Sequence, residues 1–218
     1  MRAGFSFMAA TTLHIDIDSA GLNTIYGAHL VVTLVRGVSV YVASQALASS
    51  TGTTVIWQAF APFASNRVVI DGGFRLFMTT TPLQPINVLT LNATSPDDVQ
   101  IAKVYAFQNG QIDASPIGDG PDGAYSIANL AIGTTCSLGL AQQATVNDAP
   151  SVSPQTAVPV LWNTQAAFYV QDHVSLFLSS GQNGMVIPSM PNDPLDVPLT
   201  PGDVKIVFDD TTNRFVLA

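Results

Sequence analysis

Glutamate is absent from this chain; all fifteen acidic residues are Asp. Bases are scarce too, with two Lys and five Arg. Charged side chains make up 10% of the 218 residues, where an ordinary soluble domain carries about 25%. Long helices and coiled coils need Glu, Lys and Arg on their exposed faces, so both are excluded. A formal net charge of -8 excludes a phosphate-neutralising nucleic-acid binder. A hydrophobic content of 47% excludes intrinsic disorder. The single Cys, Cys136, excludes an intrachain disulfide. It is compatible with the cytoplasm without excluding secretion. No apolar run reaches the roughly 18 residues of a membrane-spanning helix. The longest, Ala28 to Val42, is broken by Arg36 and Gly37, so no transmembrane segment is expected. The opening stretch MRAGFSFMAATTLHIDID has one Arg and a short apolar part containing Ser6, then alternates at once. It makes no convincing signal peptide.

Period-two alternation is what the chain has in abundance. In TLHIDID, Leu13, Ile15 and Ile17 face one way and His14, Asp16 and Asp18 the other. LVVTLV, VSVYVA, FRLFM, VQIAKVYAF, CSLGLA, AAFYV, VSLFLS, VKIVF and RFVLA follow at strand-like lengths. Turn chemistry separates them, as in STGT, DGG, QNGQ, GDGPDG, GQNG and DDTTN. One short helix is expected, at SAGLNTIYG. The fold class is therefore all-β.

Internal similarity refines this expectation. A shift of 105 residues pairs Val55 with Val160, Trp57 with Trp162, Ala61 with Ala166 and Phe63 with Phe168. It also pairs Pro96, Asp98, Val99 and Ile101 with Pro201, Asp203, Val204 and Ile206. Between these blocks RLFMTT and SLFLSS match at an offset of 100. The pattern predicts an internal duplication: two tandem β-sandwich modules, immunoglobulin-like or related, over residues 1–110 and 115–218. Each would be closed by one core Trp.

Chemistry-bearing residues are thin. No nucleophile elbow, zinc-protease helix, phosphate loop or dinucleotide fingerprint occurs, so no enzyme is expected. His14, Asp16 and Asp18 share a strand face but lack an identifiable fourth metal ligand. Asp172-His173 reads as a turn, and Cys136 as a small core hydrophobe. The loops GDGPDG and FDDTTN supply oxygen ligands of the kind Ca²⁺ takes, though no EF-hand pattern is present. No cofactor is otherwise expected. VSVYVASQALASSTGTTV has the amphipathic alternation of a pore-forming hairpin and equally that of two ordinary strands.

This charge-poor, Ser/Thr/Asn/Gly-rich, all-β composition resembles that of lectin-like and adhesin-like modules. The resemblance implies a non-enzymatic binding protein that recognises carbohydrate through loops. The expected ligand-binding residues are Asp119, Asp122 and Tyr125 in and after the inter-repeat loop, with Asp209, Asp210 and Asn213 at the last turn. A homo-oligomer is expected because few charges oppose association. The alternatives are a structural, self-assembling sandwich and a membrane-active pore-forming toxin.

Overall fold

The computed structural model describes residues 10–43 and 52–218. In chain order the first elements are β1 (Thr11–Asp16), α1 (Ser19–Gly27), β2 (Val31–Ala43), β3 (Gln58–Phe60), β4 (Ser65–Ile70) and β5 (Phe74–Thr79). β6 (Ala93–Thr94), β7 (Lys103–Gln108), β8 (Gln111–Ile112), β9 (Gly118–Asp119) and β10 (Tyr125–Asn129) follow. The chain continues through β11 (Cys136–Val146), β12 (Ala149–Val160), β13 (Thr164–Ser179), β14 (Leu195–Pro198), β15 (Gly202–Asp209) and β16 (Arg214–Leu217).

Local chemistry sets these elements. Leu13 and Ile15 of β1 are buried while Asp16 is exposed, as alternation requires. Asp18, expected on the solvated strand face, instead caps α1 and accepts from the Gly21 amide at 2.7 Å. The β7–β8 hairpin turns on Asn109-Gly110, both at positive φ (52° and 76°), the pairing favoured by a two-residue turn. Asn147 and Asp148 turn the β11–β12 hairpin in the same way, at φ 48° and 66°.

Two sheets result. The first runs β16-β15-β1-β4-β11-β5-β6, with β12 also paired to β11. β4 and β5 lie end to end along β11, interrupted at Asp71–Gly73. The second runs β3-β2-β13-β10-β7-β8, with β14 on β13 and β9 on β7. The sheets face each other over two apolar centres. One holds Leu13, Ile15, Leu34, Trp57, Leu176 and Phe208; the other holds Val40, Leu76, Phe107, Leu138 and Phe168.

The all-β class holds, with α1 the one helix among the described residues. The tandem duplicated sandwich is not confirmed. Both sheets mix strands from either side of the expected division: β1 pairs with β15, β4 with β11, and β2 with β13. The repeated motifs sit in unlike surroundings. Trp57 is fully buried, whereas Trp162, in the turn after β12, is 51% exposed. Pro96–Ile101 lies outside the strands and leaves Ile101 exposed, while the matching segment enters β15 and buries Ile206. The two copies therefore share residue types and spacing but not environment.

AAFYV and VSLFLS, expected as separate strands, are one long strand, β13. Asp172-His173 is a bulge within it: Val170 pairs with Val38 and Val174 with Arg36. The proposed pore hairpin falls partly on residues 44–51, outside the described residues, as do residues 1–9 of the opening stretch.

Candidate functional site

Every long ladder is irregular at one level of the sandwich. β13 bulges opposite Gly37, β12 gains an extra residue at Gln155, and β4 breaks from β5 at Asp71–Gly73. This level lies between the two apolar centres and is polar. β2 points Val32, Leu34, Val40 and Val42 into the core at even positions, and Arg36 occupies the same inward phase. The residue is 3% exposed.

Arg36 Nη1 donates to Gln142 Oε1 at 2.6 Å, and its guanidinium lies 5.3 Å from the Phe74 ring centre. Gln142 Oε1 also accepts from Gln155 Nε2 at 2.8 Å. The Gln142 amide donates to the Gly72 carbonyl at 3.1 Å, and the Trp57 indole N–H donates to the Gln142 carbonyl at 3.1 Å. Among the described residues no carboxylate reaches ion-pair distance of Arg36. Residues 1–9 and 44–51 contain no Asp. Burial pushes the guanidinium down to about 10, with Asp172 and then Tyr125 acting in the opposite direction. It is therefore charged at neutral pH.

Beside this group lies a pocket of about 320 Å³, at the lower end of small-molecule sites. Arg36, Val40, Gln155 and Thr156 are its buried residues, and Ser39 and Gln171 its exposed ones. Gln171 Nε2 donates to Ser39 Oγ at 3.3 Å across the mouth. Gly52 closes one wall. A Cβ there would collide with Thr156 Oγ1 and stand 2.6 Å from Val40 Cγ2. Thr53 stitches this wall to β12, donating to the Ala157 carbonyl and accepting from Thr156 Oγ1, both at 3.1 Å. Two buried polar atoms of the lining residues lack a partner among the described residues: Arg36 Nε, a donor, and Gln155 Oε1, an acceptor.

The residues expected to bind ligand are not brought together. Asp119 is in β9, on an edge of the second sheet, where it pairs with Lys103; that hydrogen bond and charge hold its carboxyl below the usual range. Asp122 lies exposed in the following turn. Tyr125 opens β10 and turns inward, its ring 4.7 Å from Phe74, and burial raises its phenol. Asp209 belongs to the β15–β16 turn of the first sheet. It accepts from Thr212 Oγ1 at 2.8 Å and the Thr211 amide at 2.9 Å, which holds its carboxyl down. Asp210 is exposed beside it, and Asn213 completes the turn at φ 55°. Asn213 borders a second, smaller pocket with Asp193, Arg214 and Phe215.

Among the described residues no three His, Cys or acidic side chains converge as metal ligands. Cys136 is buried, and burial pushes its thiol up to about 11, as a core position demands. At one end of the sandwich Trp162, Leu161 and Ile132 are exposed together. Buried Asn129 gathers their two loops by donating to the Thr134 and Val160 carbonyls, at 2.8 and 2.9 Å. The expectation that both Trp are core residues thus holds for Trp57 and fails for Trp162, which sits half-exposed in a turn.

The class of protein these features define is a two-sheet β-sandwich with a polar, arginine-centred pocket. No helix among the described residues is long and apolar enough to cross a membrane. No family model, curated protein or solved structure matches the chain.

Proposed function

We propose that this protein is a non-enzymatic carbohydrate-binding protein whose ligand enters the pocket over Arg36. The observation that carries the reading is Arg36, a buried guanidinium with no acid at ion-pair distance among the described residues, lining a pocket whose wall is otherwise neutral and polar. A hydroxyl group can both donate and accept, and a sugar presents several. Ser39, Thr53 and Thr156 add neutral hydrogen-bonding groups to the wall, and Val40 adds an apolar one. Glycan binding measured by calorimetry tests this on three proteins: the wild type, Ser39→Trp, and a loop variant with Asp119, Asp122, Asp209, Asp210 and Asn213 replaced by Ala. Binding lost in Ser39→Trp and kept in the loop variant is expected. The opposite pattern would move the site to the loops, and no binding to any glycan would remove the reading.

A second reading, self-association, rests on exposed Ile132, Leu161 and Trp162 on the two loops that Asn129 joins, with Ile132 84% exposed. Concentration-dependent light scattering that Trp162→Ser and Ile132→Ser together abolish would support it. A strict monomer at high concentration would dismiss it.

A further inference from the structure

We infer that the pocket over Arg36 selects a sugar bearing a carboxylate, a uronic-type acidic saccharide, over its neutral counterpart. This rests on the reading of the pocket above and adds the charge of the ligand.

The argument starts from the missing partner. A buried guanidinium is ordinarily matched by a carboxylate, because an uncompensated charge in a low-dielectric interior is costly. Here the contacts are a neutral amide oxygen and a ring face. The one acid that acts on its charge is Asp172 in the bulge of β13, an exposed residue that does not reach ion-pair distance. With fifteen Asp available, none is spent on Arg36, although Arg67, Arg75, Lys103 and Arg214 each pair with one. Arg36 is thus the described cation that is both buried and without an acid, and it lines a pocket.

A ligand carboxylate supplies the absent charge, and the ligand's hydroxyls serve the Ser/Thr wall. A simple inorganic anion fits less well: it matches the charge of Arg36 but is too small to reach the Ser/Thr wall as well. A neutral sugar satisfies the hydrogen bonds and leaves the charge unmatched. A hydrogen bond to a charged group exceeds a neutral one by enough to give about tenfold in affinity.

The test titrates glucuronate, glucuronamide and glucose into the wild type, Arg36→Met and Ser39→Trp. Circular dichroism and thermal melts confirm that each variant is folded. Glucuronate should bind about tenfold more tightly than glucose or glucuronamide at low salt. The preference should vanish in Arg36→Met, and all binding should vanish in Ser39→Trp. If Arg36→Met does not fold, the comparison of glucuronate with its amide still reads the charge, and Ser39→Trp still reads the location. Equal binding of acid and neutral sugar, lost in Ser39→Trp, would overturn this inference and leave the pocket reading standing. Glucuronate binding that survives Ser39→Trp would place the acid site elsewhere and overturn it. No binding of any probe would overturn both.

Discussion

Replacing Gln142 by Leu tests whether the polar layer is organised as described. The Gln142 side chain accepts from Arg36 Nη1 and Gln155 Nε2 and donates to the Gly72 carbonyl. Leu keeps the volume and removes all three bonds. A hydrogen bond from a charged donor contributes about 1.5–3 kcal/mol and a neutral one about 1 kcal/mol, with a further cost when the partner stays buried. The loss therefore sums to roughly 3–5 kcal/mol, or a fall in Tm of roughly 6–20 °C for a chain of this size. Arg36→Met removes the buried charge itself, and Gln142 keeps its bonds to Gln155 and Gly72. Its effect should be about 1 kcal/mol or less, of either sign. The double variant Gln142→Leu/Arg36→Met should then be more stable than Gln142→Leu alone by at least about 1.5 kcal/mol. Urea unfolding followed by Trp57 fluorescence gives all three values. A neutral Gln142→Leu, or strictly additive variants, would refute the reasoning.

Four further outcomes are expected. Gly52→Ala forces a Cβ against Val40 and Thr156 and should cost about 1–3 kcal/mol in chemical denaturation. Trp162 should account for the fluorescence quenched by acrylamide, so that Trp162→Phe leaves only the shielded emission of Trp57. Cys136 titrates near 11 when folded and lower when unfolded, so the unfolded chain holds fewer protons above about pH 9. Its contribution is complete below that pH and declines as pH rises toward 11; Cys136→Ala should flatten that part of the stability profile. Lys103→Met should raise the Asp119 carboxyl toward its ordinary range in an NMR titration, because Lys103 is the chief cause of its depression.

Alternation made the strands legible. TLHID became all but the first residue of β1, and SAGLNTIYG became α1 over the same nine residues. Asn109-Gly110 marked its hairpin because only a few residue types tolerate that backbone. Pairing between distant strands was not legible, since period two fixes which face a residue takes but not which strand lies beside it. That is why a repeated W-x5-F spacing suggested two modules while Trp57 and Trp162 occupy a core and a turn. The loop carboxylates were visible as turn formers, and turn formation is what Asp209 does, through Thr211 and Thr212. Arg36 does leave a signal in the sequence. It is the one charged residue in the run from Val31 to Ala43, and it falls on the inward phase of that run. Its partners Gln142 and Gln155 lie more than a hundred residues away and could not be assigned without the fold.

The Arg36 Nε–H resonance, observed by ¹⁵N NMR, addresses the pocket most directly. Titration with glucuronate should move it strongly, and Ser39→Trp should hold it still. A resonance that stays fixed while glucuronate perturbs the Asp119 or Asp209 loops would contradict the account.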